Sequence, residues 1–236
     1  MTRLRRPSRS RATSRGLTLL EVLVSVGILA VVATLVYGAL DGMSRARTAI
    51  SRSSDRYHQG RAAMSRMARE LQSAFVSAHQ PLVVSQAVRN TAFIGKDSAN
   101  RDRVDFTSFS HQRLGRDVHE SDQNELSYFV SRDPDHDKVD LVRRESPFID
   151  LEPGKGGVVS VLCEDIDTFE LSYLDPITGE WTDTWDSSQP AAQLNRLPVQ
   201  IKITLVLNGG VGGQPIRLVT KVPVAMQTAV SFAVPR

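Results

Sequence analysis

The chain reads Arg15-Gly16-Leu17-Thr18-Leu19-Leu20-Glu21 at the start of an apolar stretch that continues to Leu40. Glu21 is the only acidic residue within 17–40, and the same stretch contains no lysine or arginine. A carboxylate within a membrane-length apolar helix is energetically costly unless another group pairs with it. The stretch therefore needs a partner for Glu21 that its own sequence does not supply.

The length of residues 17–40 predicts a membrane anchor. As a helix they would extend roughly 36 Å, enough to cross a hydrocarbon core of about 30 Å. A secretory signal peptide has a shorter apolar region that is followed by its small-residue cleavage site, whereas Gly16 precedes this one. Residues 1–16 contain six arginines and no acid. The positive-inside rule then predicts a cytoplasmic N-terminus, with the chain after Leu40 across the membrane.

The segment from Gly16 to Glu21, with the apolar helix behind it, resembles the class III signal of type IV pilins and of type II secretion pseudopilins. This resemblance implies that a prepilin peptidase cleaves between Gly16 and Leu17 and that the new Leu17 amine is N-methylated. It also implies that Glu21 pairs with the N-terminal ammonium of a neighbouring subunit, and opposite charges do relieve each other's desolvation in a low dielectric. A plain single-pass anchor with an accidental acid is the alternative.

The charge distribution argues against a nucleic-acid partner. The pI is near 9.2, but six of the 29 basic residues lie in the leader. Residues 41–79 carry seven arginines against three acids, whereas 80–236 carry 16 basic residues against 22 acidic ones. This pattern predicts a basic stalk and an acidic head. The stalk arginines nearest the anchor are expected to meet anionic lipid or acidic partner surfaces; they are Arg45, Arg47, Arg52 and Arg56.

A single long helix is predicted for residues 17–78, because no proline occurs between Pro7 and Pro81. Beyond the anchor, small and apolar residues recur at spacings of three and four, which places them on one helical stripe. The stripe consists of Met43, Ala46, Ile50, Ser53, Tyr57, Gly60, Met64, Met67, Leu71, Ala74 and Ala78. The predicted organisation is a cleaved leader (1–16), a transmembrane segment (17–40), an amphipathic stalk helix (41–79) and a β-rich head (80–236).

After Pro81 the pattern becomes typical of β-strands. Candidate strands are 82–88, 104–109, 125–131, 139–144, 158–163, 168–174, 180–185, 198–207 and 216–224. The last two are expected to form a hairpin across the glycine-rich residues 209–213. The predicted fold is therefore α+β and pilin-like, with a long N-terminal helix packed on a C-terminal antiparallel sheet.

Four segments of the head, 141–144, 167–175, 179–181 and 197–203, resemble the minor pseudopilin J family of the general (type II) secretion pathway. The resemblance implies a structural subunit at the tip of a periplasmic pseudopilus, which helps to initiate assembly and the export of folded proteins through the outer membrane. It implies a single-pass protein of the bacterial inner membrane with a periplasmic head. The implied partners are minor pseudopilins I, K and H, the major pseudopilin, the prepilin peptidase and the inner-membrane assembly platform. A minor pilin of a type IV pilus or competence system is the alternative.

No residue pattern predicts an enzyme, a cofactor or a metal site. The five histidines form no zinc-like spacing with Cys163, and no Gly-x-Ser-x-Gly elbow occurs. Asp133, Asp135 and Asp137 resemble the first half of a calcium loop, but Lys138 and Arg144 occupy the positions of its glycine and glutamate. A solvated acidic turn is favoured, and calcium binding stays open. A membrane-anchored periplasmic hydrolase with catalytic residues from distant positions is a further alternative.

Cys163 is the only cysteine, so the chain can form no intramolecular disulfide. It follows the β-branched run 158–162. We therefore expect Cys163 to be a small buried core residue.

We predict that the mature chain begins with N-methylated Leu17 and that Gly16→Ala slows removal of the leader. The reason is that the resemblance places the peptidase cut after a glycine, where a larger residue is expected to fit poorly. Mass spectrometry of the membrane-bound protein measures both the N-terminus and the methyl group, and Gly38→Ala provides the matched control. A different N-terminus, or an unmethylated Leu17, would contradict the pilin-type signal.

Overall fold

The protein is described by a computed structural model over residues 18–78, 91–112, 121–150, 152–209 and 213–231. The predicted cleavage pair Gly16 and Leu17, the leader and the candidate strand 82–88 lie outside these residues. The chain divides into two compact units, 1–52 and 53–236. Helix α1 (Leu19–Gln72) has residues in both units, and the β-strands belong to the second.

Helix α1 begins after an N-cap. The Thr18 hydroxyl accepts a hydrogen bond of 3.3 Å from the Glu21 backbone amide, which satisfies one of the unpaired amides at the helix start. The acidic side chain of Glu21 in the first turn also suits the positive end of the helix dipole.

The prediction that the helix continues to Ala78 is wrong, because α1 ends at Gln72. The backbone after this point pairs with a strand instead. Ala74 forms an isolated antiparallel bridge with Ser108, and the Phe75 amide donates to the Thr107 carbonyl over 3.0 Å. Small residues at helical spacing do not distinguish a last helical turn from such an extended segment.

The strands of the second unit are antiparallel, as predicted, and form two sheets. The six-stranded sheet has the order β5-β4-β3-β2-β1-β8, and the four-stranded sheet has the order β10-β9-β6-β7. The strands are β1 (Phe93–Lys96), β2 (Arg103–Ser108), β3 (Asn124–Arg132), β4 (Val139–Ser146), β5 (Val158–Cys163), β6 (Ile166–Leu174), β7 (Trp181–Thr182), β8 (Trp185–Asp186), β9 (Gln200–Leu207) and β10 (Ile216–Pro223).

Most strand predictions are confirmed, including the β9–β10 hairpin. Strands β2 to β6, β9 and β10 end within about two residues of the predicted bounds. The predicted strand 180–185 is wrong, because β7 and β8 are separate strands in different sheets. Strand β1 was not predicted. It contains Gly95, where a Cβ would lie 2.3 Å from the Tyr173 hydroxyl, so the glycine is required by close packing.

The helical stripe is confirmed where α1 packs in the second unit. Met67 and Leu71 are fully buried, and Gly60 and Met64 are also buried. Tyr57, on the same stripe, is 44% exposed. Cys163 is fully buried, as predicted, and burial raises the pKa of its thiol to about 11, so the thiol stays protonated at neutral pH.

Arg56 of α1 forms hydrogen bonds with two loops of the same unit, one after β5 and one after β9. Its guanidinium donates hydrogen bonds to the backbone carbonyls of Glu164 (3.0 Å), Asp165 (2.8 Å) and Asn208 (3.2 Å). The expectation that Arg56 faces lipid or a partner surface is therefore wrong. Its charge stabilises the carbonyl groups at the C-terminal ends of β5 and β9.

We predict that Leu71→Ala lowers the free energy of unfolding by about 2–5 kcal/mol, because the Leu71 side chain is fully buried and its truncation leaves a cavity in the core. Ile177→Ala, at a side chain that is 73% exposed, should change it by no more than about 0.5 kcal/mol. Both tryptophans lie in the second unit, so urea unfolding followed by their fluorescence reports its stability. Equal effects of the two substitutions would contradict the assigned core.

Candidate functional site

The first unit presents an apolar helical surface. Side chains around the whole circumference of residues 19–40 are exposed, with Leu19 at 85% and Leu29 at 67%. Among the described residues, α1 is the one helix long and apolar enough to cross a membrane. A helix that is apolar on every side requires lipid or other helices around it.

Glu21 lies one turn into this helix, where its backbone carbonyl accepts a hydrogen bond of 2.7 Å from the Ser25 hydroxyl. Its carboxylate forms no salt bridge within the described residues. The first basic residue further along α1 is Arg45, which lies about 36 Å away along the helix axis. Any cation that neutralises Glu21 inside the apolar segment must therefore come from outside residues 18–52.

The helix surface after the apolar segment is cationic. Arg45 forms an exposed ion pair of 2.6 Å with Asp41, one helical turn earlier. The side chains of Arg47 and Arg52 are exposed. An exposed ion pair of this kind contributes little to stability, about 0.3–0.5 kcal/mol. These side chains are available for contacts with other molecules.

A buried ionic cluster joins the end of α1 to the six-stranded sheet. Glu70 is buried, and Arg143 on β4 donates from Nε to both of its carboxylate oxygens over 3.1 and 2.9 Å. The hydroxyl of Tyr128 on β3 donates to the same carboxylate, and so does Nε of Arg66, over 3.1 Å. Burial and the neighbouring Glu70 carboxylate raise the pKa of Tyr128 well above its usual value. The phenol therefore stays protonated and donates.

The cluster continues to Glu145 on β4. Arg143 donates to its carboxylate over 2.6 Å and Asn124 donates over 2.8 Å, while Nδ1 of His111 lies 3.0 Å away. Burial acts to raise the pKa of Glu145, but these hydrogen bonds outweigh it and lower the pKa to about 2. Each acid in the cluster is thus paired with a cation.

A cleft of about 660 Å³ opens beside the cluster, lined by residues that include Arg66, Arg69, Ser73, Phe109 and His111. Perturbed pKa values often mark catalytic sites, but ion-pair networks perturb them as well. Here the perturbed groups pair with one another across the helix–sheet junction. This geometry supports a structural role.

The hydrophobic pattern of the sequence does not predict this cluster, because its residues place charges at core positions. Glu70 lies next to the stripe residue Leu71 on α1. Arg143 lies two residues after the buried Leu141 on β4, a spacing that puts both on one face of a regular strand. The available signal was a pair of opposite charges at positions that their periodicity assigns to the core. Buried charges at such positions need each other.

The Asp133–Asp137 segment forms the turn between β3 and β4. The Asp133 carboxylate accepts a hydrogen bond from the Asp135 amide over 2.8 Å and lies 3.0 Å from Nδ1 of His136. These bonds lower the pKa of Asp133. Asp137, which is 94% exposed, pairs with Arg132 over 3.2 Å. Among the described residues, no group of three or more His, Cys, Asp and Glu side chains is placed to hold a metal ion.

We predict that Glu145 contributes a pH-dependent part of the stability. Its pKa in the folded protein is about 2, below the usual 4.5, so its contribution is present above about pH 4.5 and is lost as the pH falls towards 2. The stability difference between wild type and Glu145→Gln should therefore be largest near pH 7 and shrink over that range. Urea unfolding at several pH values measures it. Glu152→Gln, at a side chain that is 61% exposed, is the control and should show little such change.

Comparison with solved structures finds matches at low sequence identity. A chain from "The Crystal Structure of the GspK-GspI-GspJ complex from enterotoxigenic Escherichia coli Type 2 Secretion System" is 17% identical, with a TM-score of 0.48, over 73% of this chain and 99% of that one. The type IV-like pilin TTHA1219 from Thermus thermophilus is 11% identical, with a TM-score of 0.43, over 71% of this chain and 96% of that one. No curated protein sequence matches the chain.

Two protein families match the sequence in adjacent segments. The prokaryotic N-terminal methylation motif matches residues 11–37, which include Gly16, Leu17 and Glu21. The family described as type II secretion system (T2SS), protein J, matches residues 38–219, well over half of the chain. The apolar N-terminal helix and the antiparallel β-sheets agree with this assignment. The chain belongs to the protein J family of the type II secretion system and is a minor pseudopilin.

Proposed function

We propose that this pseudopilin is a non-enzymatic subunit at the tip of the periplasmic filament, where it helps to begin filament assembly and the export of folded proteins through the outer membrane. The observation that carries the proposal is an apolar helix, exposed on all sides, with one acid in its first turn. Such a helix is suited to lateral packing against equivalent helices. The proposal assigns recognition of partner subunits to the rest of the chain.

The proposed topology follows from charge. Residues 1–16 are cytoplasmic and basic, 17–40 cross the inner membrane, 41–52 form the stalk, and 53–236, which include the C-terminal part of α1, form the periplasmic head. Prepilin peptidase removes the leader after Gly16, and Leu17 is then N-methylated. The match of the methylation motif to residues 11–37 supports this processing.

In the assembled filament, Glu21 pairs with the Leu17 ammonium of a neighbouring subunit. The lack of a salt bridge to Glu21 within the described residues supports a partner from outside this part of the chain. Removing one member of a buried ion pair leaves the other uncompensated and typically costs about 3–5 kcal/mol. The pairing therefore favours the assembled state over a single inserted helix.

The proposed partners are minor pseudopilins I, K and H, the major pseudopilin and the inner-membrane assembly platform. Membership of the protein J family supports this set. The exposed arginines Arg47 and Arg52 add a cationic surface directly after the apolar segment. We assign to them contacts with anionic lipid or with acidic surfaces of these partners.

We predict that Glu21→Leu leaves membrane insertion intact but reduces crosslinking to partner pseudopilins and secretion by at least about tenfold. Insertion survives because the substitution removes a charge from an apolar segment, and assembly fails because an ammonium on the neighbouring subunit loses its partner. Fractionation, leader processing and site-specific crosslinking measure the three steps separately.

Ser25→Leu is the matched control, because it lies one turn further along the same helix and adds the same side chain. Normal crosslinking and secretion in Glu21→Leu would contradict the intersubunit pairing, as would a pairing of Glu21 with the Leu17 amine of its own chain. A defect confined to leader removal would assign Glu21 to peptidase recognition instead.

A further inference from the structure

Within the described residues, strand β5 forms an open edge of the six-stranded sheet. It pairs with β4 on one side and is the last strand in the sheet order. Its three valines are exposed, with Val158 at 75%, Val159 at 53% and Val161 at 56%. The unpaired backbone groups of an edge strand can template the addition of another strand.

The long edge of the second sheet differs from β5. Strand β10 exposes Arg217 and Lys221 and ends at Pro223. Charged side chains and proline are the features that block edge-to-edge pairing in natural sheets. The remaining edge strands, β7 and β8, are two residues long. Strand β5 is therefore the long edge in the described residues that lacks such protection.

Val161 of β5 continues an apolar strip across the sheet, whereas Val159 and Val158 lie in register with Arg144 and Glu145. Val161 pairs in register with Val142 on β4, and Val142 pairs with Phe129 on β3. Residues at paired positions share one face of a sheet, and apolar side chains there stabilise each other by about 0.2–1 kcal/mol per pair. An added strand with a β-branched residue opposite Val161 would extend this strip by one position.

The C-terminal end of β5 is strongly acidic. The Asp165 backbone amide donates to the Asp140 carboxylate on β4 over 2.8 Å, and the Asp165 carboxylate lies 4.0 Å from Nζ of Lys138 in the turn between β3 and β4. Six acids occupy 132–140 and 164–165, against three cations: Arg132, Lys138 and Arg56, whose guanidinium binds the Glu164 and Asp165 carbonyls. The acids are Asp133, Asp135, Asp137, Asp140, Glu164 and Asp165. A segment lying along β5 therefore gains from a positive charge beside Glu164.

We propose that β5 accepts an extended segment of a different polypeptide as a seventh strand of this sheet. The segment carries β-branched residues at alternate positions and basic residues at the end that lies beside Glu164. Backbone hydrogen bonds supply affinity, and the apolar strip and acidic end supply register and selectivity. The inference goes beyond the proposed filament role and holds for any position of the subunit in the filament.

Charge disfavours a second copy of this chain as the occupant. In an antiparallel pair of β5 strands, the end next to Glu164 in one copy would lie beside Val158 of the other. Strand β5 contains no basic residue, and Lys155, the cation that precedes it, already pairs with Glu152 over 2.8 Å. A second copy therefore offers no unpaired cation to the end beside Glu164.

A labelled peptide, Lys-Lys-Thr-Val-Thr-Val-Thr-Val, tests the proposal with the full chain in detergent micelles, by fluorescence anisotropy. The combined substitution Val159→Lys and Val161→Lys should weaken binding by about tenfold or more, because it places charges on the apolar strip and next to it. Val219→Lys on β10, at a side chain that is 52% exposed, is the matched control and should bind as wild type. Tryptophan fluorescence of each variant checks that the head is folded.

Two altered peptides test the mechanism without changing the protein. A peptide that begins Glu-Glu should bind about tenfold more weakly at low salt, with a smaller difference at high salt. N-methylation of the alternate backbone amides that face β5 should abolish binding, because it removes the ladder hydrogen bonds, whereas the other alternate set faces away from the strand. Absence of binding, equal binding of the methylated peptide, or an equal loss in Val219→Lys would overturn the proposal. A photocrosslinker at Val159 that joins two copies of this chain would also overturn it.

Discussion

The pairing of Glu70 with Arg143 is the interaction on which the helix–sheet junction depends. A carboxylate and a guanidinium this deeply buried are each strongly destabilising alone, so helix and sheet must meet in the one register that joins them. Tyr128 and Arg66 complete the donors around the same carboxylate. The fully buried neighbours Met67 and Leu71 supply hydrophobic stabilisation, and the ion pair supplies the register.

A second contact holds the same helix 14 residues earlier, about 21 Å along its axis. Arg56 binds three backbone carbonyls there. Between the two contacts, the helix approaches β9 and β10 closely, since a Cβ on Gly60 would lie 2.6 Å from side-chain carbons of Leu207 and Leu218. The C-terminal part of α1 is thereby an element of the folded head, while its N-terminal part has the composition of a membrane anchor. One continuous helix thus meets the requirements of two different environments.

Local sequence patterns predicted the helix and most of the strands, because these depend mainly on residues that are close together in the chain. The absence of proline indicated the long helix, and alternation indicated strands such as β9. Sheet partners were not predictable in this way, because β6 pairs with β9 across a long stretch of chain and β7 and β8 separate into different sheets. Gly95 obscured β1, since its function is to admit Tyr173. The burial of Glu70 and Arg143 was not predictable from local patterns. A charged residue at a core position makes sense only once the oppositely charged residue that pairs with it is known.

For the assembly site, the sequence placed Glu21 in the first turn of the apolar helix, where the structure also has it.

The central claim is that α1 belongs to the head over residues 60–72 and is a membrane anchor over 19–40. Hydrogen–deuterium exchange of the full chain in lipid nanodiscs tests it directly, because protection reports the stability of each backbone segment. The account predicts that amides of 60–72 exchange only with global unfolding of the head, together with β9, while the exposed residues 41–52 exchange much faster and 19–40 are protected by lipid. Exchange of 60–72 well before β9, or equal protection throughout 19–72, would contradict it.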